Sequence, residues 1–236
     1  MTADELKRLA AEHAVEREVR SGMALGLGTG STAGHVLEAL AARLRDGRLA
    51  GIRAVPTSEH TAADCRRLGI PLASLDECPH LDVDIDGADE IDPGLDLIKG
   101  LGGALLREKV VAAAATRMVV VADGSKLVPR LGLRAPLPVE VIPFAQPLCR
   151  RLLERAGWRP QLRLDACGEG FVTDEGNLIL DCRRDDWSQT GSLAVDVDAI
   201  PGVAGHGLFL SLAQAAVVAT DAGVRVLERP AAASGA

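Results

Sequence analysis

Short apolar runs alternate along the first 130 residues with segments whose apolar positions recur every three or four residues. The runs predict strands at Met23–Leu27, Ile52–Val55, Leu81–Ile85, Leu95–Ile98 and Met118–Ala122. The amphipathic segments predict helices over Ala33–Arg45, Glu59–Leu68 and about Ala104–Thr116, and the first twenty residues are also helix-like. Strands and helices in this alternation are typical of a parallel sheet covered by helices, so we expect an α/β fold.

The pattern changes near Leu131–Pro147, which is rich in proline. The sequence beyond it predicts helices near Leu148–Arg155 and Val195–Ala199, and strands near Gln161–Leu164 and Phe171–Leu180. We interpret this stretch as a smaller α+β domain inserted into the larger one.

After the insertion, the chain returns to a helix-and-strand pattern. The segments concerned are Gly207–Ala216, Val217–Thr220 and Val224–Leu227. We expect them to rejoin the first sheet.

Composition and charge exclude several classes of protein. The 236 residues are 47% hydrophobic but only 2% aromatic, so the core must be built from aliphatic side chains. A net charge of -7 without a long basic run argues against a nucleic-acid partner. We also expect no membrane partner, since no apolar run reaches spanning length. Five scattered cysteines, without a C-x-x-C pair, predict reduced thiols and a cytoplasmic protein.

Polar loops follow the predicted strands. They are Gly28–Thr32, Thr57–Ser58, Asp86–Asp89, Lys99–Gly103 and Asp123–Lys126. Open parallel sheets bind ligands at the carboxyl ends of their strands, where loops converge and helix N-termini point toward the ligand. The sequence therefore predicts a binding site at this edge.

The segment Gly26–Thr32 (GLGTGST) is the candidate anion site. Its glycines allow close approach of the backbone, and the following helix offers free N–H groups. It is not a Walker A loop and matches the dinucleotide fingerprint poorly, which favours a phosphate-bearing small molecule. The alternative is a tight strand-to-helix turn with Ser31 or Thr32 as the N-cap.

Two clusters carry the candidate chemistry: Asp84–Asp92 (DIDGADEID) and Lys99–Lys109 (KGLGGALLREK). Neighbouring carboxylates repel one another and raise each other's pKa, which suits proton transfer. Glu108 lies about one turn into the predicted helix and is the candidate base, and Lys99 could neutralise a developing oxyanion. The alternatives are an ordinary charged helix face and a surface lysine at a strand end.

Asp86 and Asp89 bracket the Gly87–Ala88 turn, and both side chains can face one pocket. Paired carboxylates can also bind a divalent metal, and Asp84 is a further candidate ligand. His80 is the one histidine nearby, which argues against a metal. Asp84 could equally be an inward strand aspartate held by backbone donors. Lys126 is a plausible second phosphate contact or an exposed loop lysine.

These motifs resemble the type A ribose-5-phosphate isomerase family. The matching segments occur in the family's order: GLGTGSTA (26–33), PTSEHT (56–61), DIDGADEID (84–92), KGLGGALLREK (99–109), VVADGSK (120–126), LPVEVIP (137–143), VTDEGNLIL (172–180) and GVAGHGLF (202–209). They cover nearly the whole chain, and DGADE followed by KG-x-G-GAL-x-REK is the most specific pair.

The resemblance implies a fold, an assembly and a reaction. The fold would be a Rossmann-like parallel-sheet domain (1–131 and 207–236) with an inserted, smaller ferredoxin-like α+β domain (132–206). The latter would form the oligomer contact in a homodimer or homotetramer. The reaction would interconvert D-ribose 5-phosphate and D-ribulose 5-phosphate through an enediolate in the non-oxidative pentose phosphate pathway, without a metal or other cofactor.

The resemblance also implies residue roles. Glu108 would be the base, Asp86 would assist ring opening, and Asp89 would support the site. Lys99 and the backbone of Gly100–Gly102 would stabilise the enediolate oxygen. The substrate-binding set would be Thr29, Gly30, Ser31, Thr32, Asp86, Gly87, Ala88, Asp89, Lys99, Gly100, Leu101, Gly102 and Lys126, with Lys7 a weaker candidate. Leu101 departs from the pattern, since many relatives have glycine there.

Two other classes of function remain open at this point. The first is a sugar-phosphate sensor, although the chain has no N-terminal helix-turn-helix and keeps Glu108 and Lys99. The second is another enzyme of this architecture, such as a coenzyme A transferase, a sugar-phosphate deaminase or a lactonase. A transferase would need a nucleophilic glutamate in its own motif and a large adenine-binding surface, and a deaminase or lactonase would not explain DGADE together with KGLGGALLREK.

Overall fold

The computed structural model of this chain describes residues 1–229, which form alternating helices and strands. The α-helices are α1 (Ala3–Glu18), α2 (Ser31–Arg45), α3 (Glu59–Leu68), α4 (Leu105–Ala114), α5 (Gln146–Arg155) and α6 (Thr190–Asp198). The strands are β1 (Ala24–Leu27), β2 (Arg53–Pro56), β3 (Val83–Asp86), β4 (Glu90–Ile91), β5 (Leu97–Ile98), β6 (Met118–Asp123), β7 (Leu137–Val141), β8 (Arg159–Leu162), β9 (Leu178–Arg183), β10 (Val203–His206), β11 (Leu208–Phe209), β12 (Ala213–Thr220) and β13 (Gly223–Glu228). No helix in this part of the chain is both long and apolar enough to cross a membrane.

The main sheet has the order β13-β12-β6-β3-β1-β2. Neighbouring strands within this sheet pair in parallel, except that β13 runs antiparallel to β12 at one edge. The chain passes from β1 to β2 on one side and then to β3 on the other, so β1 and β3 flank a topological switch point. Ligands bind outside the carboxyl ends of the strands at such a point. The predicted α/β fold with a Rossmann-like parallel sheet is confirmed.

Helices cover both faces of the main sheet. On one face, Leu25 and Leu27 of β1 and Ile85 of β3 pack in a core cluster with residues of α1 and α2. The alternate positions of β1 and β3 point to the other face, where Val111 of α4 packs. Because side chains alternate along a strand, Asp84 and Asp86 lie on the α4 face.

A second sheet of order β10-β7-β9-β8 forms within residues 137–206, and its neighbours are antiparallel. With α5 and α6, its elements follow one another as β-α-β-β-α-β, which is the ferredoxin-like arrangement. Its core contains the edge-to-face pair of Trp158 and Trp187, whose ring centroids are 5.4 Å apart.

Two sequence-based predictions were wrong. The apolar run at Leu95–Ile98 does not join the main sheet, since β5 pairs antiparallel with β4 and β11 in a small separate sheet. Gly207–Ala216 contains no helix, because its residues form β11 and the start of β12. In both cases pairing with a distant strand decides the conformation, which a local pattern does not reveal.

Candidate active site

Glycines on β1 make room for aspartates on β3. Gly26 is paired in register with Asp84, and the next outward pair is Gly28 with Asp86. A Cβ at Gly26 would lie 2.7 Å from Oδ1 of Asp84, and one at Gly28 would lie 2.7 Å from the Cα of Asp86. Because each of these glycines on β1 lies beside an aspartate on β3, there is room to bury two carboxyl groups beneath α4.

Asp86, Lys99 and Glu108 form a buried charged cluster on this face. The Lys99 ammonium lies 2.9 Å from Oδ2 of Asp86 and 3.4 Å from Oε1 of Glu108, and it donates to the carbonyl of Gly87 at 2.6 Å. Asp86 also accepts from the backbone N–H of Gly87 at 2.6 Å and of Thr29 at 3.3 Å. All three side chains are at most 6% exposed. Glu108 is therefore not an ordinary charged helix face, and Lys99 is not a surface lysine.

The environment of the cluster prepares it for proton transfer. Burial raises the pKa of Glu108 to about 8, although Lys99 opposes the rise. Burial alone would lower the pKa of Lys99, but Asp86 and Glu108 outweigh burial and raise it. Glu108 can thus exchange a proton near neutral pH while Lys99 stays charged, which is what a general base and an oxyanion stabiliser require.

Asp84 lies deeper than the other carboxyls. It is fully buried, and neither of its oxygens has a hydrogen-bond partner among the described residues. The prediction that backbone donors hold it was therefore wrong. Burial and the nearby Asp86 raise its pKa well above the usual range, which favours the neutral form.

The predicted anion site lies at the N-terminus of α2. Its N-cap is Gly30, at φ +103°, and this residue offers no side-chain capping bond to the helix. The alternative that Ser31 or Thr32 caps the helix was therefore wrong. Lys7 of α1 donates to the Ser31 hydroxyl at 3.0 Å. The first turn of α2 leaves uncapped N–H groups beside a lysine, an arrangement suited to a phosphate.

Hydroxyl groups hold the strand-to-helix turn in place. The Thr29 hydroxyl lies 2.8 Å from those of Thr57 and Ser58, so the loops after β1 and β2 are joined. Thr61 donates to the carbonyl of Gly28 at 2.9 Å. The hydroxyl groups of Thr57–Thr61 therefore hold the backbone of the anion site in place.

The glycine-rich turn after Lys99 is fixed from two sides. Leu101 donates its backbone N–H to Asp89 at 2.9 Å. Arg163, which directly follows β8, donates to the carbonyls of Gly100 and Leu101 at 2.9 and 3.0 Å. It also pairs with Asp181. Arg163 could not be predicted from the sequence, because its contact with the turn depends on how the second sheet packs.

The predicted residues surround a cavity of about 180 Å³. Its lining is Lys7, Thr29, Gly30, Ser31, Thr32, Gly87, Ala88, Asp89, Lys99, Gly100, Gly102, Glu108 and Lys126. Two predicted residues are not in the lining: Asp86 is buried, and Leu101 is 43% exposed. A larger cavity of about 610 Å³ between α3 and α4 has mostly apolar walls and contains none of the predicted site residues, and its Arg107 is paired with Glu59 and Glu175.

Known proteins are similar to this chain in sequence and in fold. A family model described as ribose 5-phosphate isomerase A (phosphoriboisomerase A) matches residues 53–223. Ribose-5-phosphate isomerase A of Roseiflexus sp. (strain RS-1) is 59% identical over 226 residues, covering 96% of this chain and 97% of the relative. A solved D-ribose-5-phosphate isomerase in complex with phospho-erythronic acid matches with a TM-score of 0.94 and 37% identity, covering 97% of this chain and 100% of that one. The isomerase of Methanocaldococcus jannaschii gives a TM-score of 0.91 and 38% identity, covering 96% and 100%.

Proposed function

The chain belongs to the ribose 5-phosphate isomerase A family and interconverts ribose 5-phosphate and ribulose 5-phosphate in the pentose phosphate pathway, and we propose that Glu108, Lys99 and Asp86 carry this reaction. The observation that carries the proposal is the buried cluster itself. One ammonium lies within 3.4 Å of two carboxyl groups at the base of a cavity whose rim can bind phosphate.

The proposed reaction moves one proton between two carbons. The Glu108 carboxylate removes the proton from C2 of open-chain ribose 5-phosphate, and the C–H electrons form the C1–C2 double bond while the C1 carbonyl becomes an oxyanion. The Lys99 ammonium stabilises this enediolate oxygen. Glu108 then returns the proton to C1, the C2 oxygen becomes the carbonyl, and a proton moves from the O2 side to O1. Asp86 lies against Lys99 and assists ring opening and this exchange between oxygens.

The phosphate is assigned to the rim of the cavity. The N-terminal turn of α2, with Thr29, Ser31 and Thr32, provides N–H and hydroxyl donors, and Lys7 and Lys126 provide charge. Gly87, Ala88, Asp89, Gly100 and Gly102 complete the proposed sugar site. A structural relative was solved in complex with phospho-erythronic acid, a sugar-acid phosphate, which supports a sugar phosphate as the ligand of this site.

We assign no metal to this site. The Lys99 ammonium already occupies the position between Asp86 and Glu108 that a divalent cation would need, and it would repel such a cation. Among the described residues, no three His, Cys, Asp or Glu side chains are grouped as a set of metal ligands.

The test measures formation of ribulose 5-phosphate with EDTA present, for the wild type and for Glu108→Gln. We expect full wild-type activity after chelation and a loss of about 10²- to 10⁴-fold in the variant. Glu12→Gln is a matched control, because it makes the same change at an exposed glutamate of α1 that lies outside the cavity. Full activity of Glu108→Gln would remove Glu108 from its role, and loss of wild-type activity in EDTA would refute the metal-free mechanism.

The division of the chain and its assembly are also proposals. We propose a catalytic domain of residues 1–131 and 207–236, of which 230–236 lie outside the described residues, and a smaller domain of 132–206. The smaller domain carries an apolar patch in which Phe144 is 97% exposed, Ile142 49% and Leu148 40%. Such a patch marks an interaction surface, and we assign it to a homodimer or homotetramer.

Light scattering coupled to size-exclusion chromatography tests this assembly. Phe144→Asp should lower the molar mass, while Leu164→Asp, at another exposed apolar position, should leave it unchanged. An unchanged mass for Phe144→Asp would exclude the patch as the contact.

A cytoplasmic location is proposed from the cysteines. All five, which lie within the described residues, are free thiols, and four of them are buried. Reduced thiols are typical of reducing compartments.

A further inference from the structure

The ring of Phe209 lies near two lysines. It belongs to β11, within the GVAGHGLF motif, and is fully buried. The Lys99 ammonium is 5.6 Å from the ring centroid, and the Lys109 ammonium is 5.1 Å from it. Both distances are within the range of cation–π attraction, which is stronger where the cation is shielded from water.

The second lysine is anchored on the side of the smaller sheet. The Lys109 ammonium donates to the backbone carbonyl of His206 at 2.6 Å. Leu208 donates its N–H to Nδ1 of His206 at 3.1 Å, so Nε2 carries the ring hydrogen and faces Asp198 at 3.2 Å. The His206 carbonyl thus holds Lys109 close to the chain just before Phe209, and Asp198 lies beside the His206 ring.

The two carboxyl partners of Lys99 change their charge during the proposed reaction, whereas an aromatic ring does not. Glu108 becomes neutral when it takes the proton from carbon, and Asp86 exchanges protons with the sugar oxygens. During those steps the Lys99 ammonium loses part of the attraction that holds it. The negative face of the Phe209 ring keeps attracting the ammonium whatever the protonation state of the carboxyls.

We propose that Phe209 is a positioning residue, which holds the Lys99 ammonium at the enediolate oxygen through a cation–π contact, and that Lys109 and His206 fix the ring for this task. This inference rests on the proposed function, since it assigns Phe209 to the support of Lys99. It gives the GVAGHGLF motif a role in catalysis although no side chain of that motif lines the cavity.

Phe209→Leu is the decisive variant, because leucine keeps an apolar side chain but has no aromatic face. We expect kcat to fall about 10-fold, which corresponds to ~1.4 kcal/mol, with KM changed less than about twofold. The acid limb of the kcat/KM pH profile should also move to higher pH. Lys99 lowers the pKa of Glu108, so an ammonium that drifts away lets that pKa rise. Asp84, Asp86 and Asp89 also face the cluster and are unchanged in the variant.

Two further variants separate this role from simple core packing. Val218→Ala opens a cavity in the same core cluster on β12 and should lower Tm without moving the acid limb. Lys109→Met keeps the length of the side chain but frees the ring, and it should shift the limb in the same direction as Phe209→Leu, by less. If Phe209→Leu does not fold, the acid limb of the Lys109→Met profile tests the proposal instead.

An acid limb that stays at the wild-type pH in Phe209→Leu, or in Lys109→Met where the first variant cannot be measured, would overturn the proposal. Glu108→Gln, assayed in parallel, distinguishes failure of the inference about Phe209 from failure of the proposed function. If Glu108→Gln is inactive and the limb does not move, the inference about Phe209 alone fails. If Glu108→Gln is fully active, the proposed catalytic assignment itself fails.

Discussion

Replacing Gly28 by alanine should damage the active site from beneath. The added Cβ would lie 2.7 Å from the Cα of Asp86 and closer still to its carboxyl group. A side chain could rotate away from such a contact, but a backbone atom cannot. The carboxyl end of β1 must therefore move away from β3, and the contacts of Asp86 with Thr29 and Lys99 must lengthen.

Two costs add up. Overpacking a tight contact costs about 1–3 kcal/mol. Separating the buried pair of Asp86 and Lys99 costs more, up to about 3–5 kcal/mol when a partner is lost altogether. Since the pair is strained and not deleted, we expect a loss of about 2–5 kcal/mol in the free energy of unfolding. For a chain of this size that lowers Tm by roughly 5–15 °C.

Differential scanning calorimetry and steady-state isomerase kinetics measure the effect, and Gly34→Ala is the matched control. Gly34 lies inside α2, where a Cβ would meet no atom within 4 Å. Alanine is better than glycine within a helix by about 0.5–1 kcal/mol, so this variant should gain stability and keep its activity. Gly28→Ala should lose at least about 100-fold in kcat, since a 1 Å displacement of a catalytic group costs about that much.

The reasoning about β1 and β3 would be refuted by a Gly28→Ala enzyme with wild-type Tm and kcat. A variant with lowered Tm but unchanged kcat would show that the strands can separate without displacing Asp86 from Lys99.

Three further outcomes are expected. Glu108 has a pKa of about 8 in the folded protein but about 4.5 in the unfolded chain, so the stability of the wild type falls as the pH rises between these values. Glu108→Gln has no such proton to lose, and the Tm of this variant minus the Tm of the wild type should therefore increase from pH 4.5 to pH 8. A constant difference would contradict this. Arg163→Met removes the donors to Gly100 and Leu101 and should lower kcat/KM about 10-fold, in keeping with the ~1.5–3 kcal/mol of charged hydrogen bonds, and an unchanged kcat/KM would exclude Arg163 as support for the turn. Lys126→Met should raise KM several-fold, about 1 kcal/mol of charge contact, with little change in kcat, whereas a fall in kcat at constant KM would place Lys126 away from the phosphate.

The position of the candidate site could be predicted from the sequence because its main parts are local. Each parallel strand ends in a polar loop, and parallel strands bring those loops to one edge, so Gly28–Thr32 and Asp86–Asp89 meet without further information. The burial of Glu108 and Lys99 could only be suspected, because a glutamate on a helix and a lysine at a strand end usually face solvent. The structure decided this by packing α4 onto β3.

The contributions of distant segments could not be predicted. Arg163 reaches the glycine-rich turn because the second sheet packs against it, and Phe209 reaches Lys99 because β11 pairs with β5. Both depend on contacts between residues about 60 to 110 positions apart. Strands of two residues, such as β5 and β11, also lack the length for a recognisable pattern.

The pairing of β5 with β11 has a consequence for the order of events during synthesis. Lys99 donates its backbone N–H to the carbonyl of Gly207 at 2.9 Å, and Gly207 in turn donates to Pro138 at 2.8 Å. A nascent chain that has emerged only as far as the smaller sheet already contains Asp86 and Glu108, but not the strand that fixes Lys99. We therefore expect catalytic competence to arise late and in one step, when the segment after residue 206 docks, since closing so long a loop comes after local structure has formed.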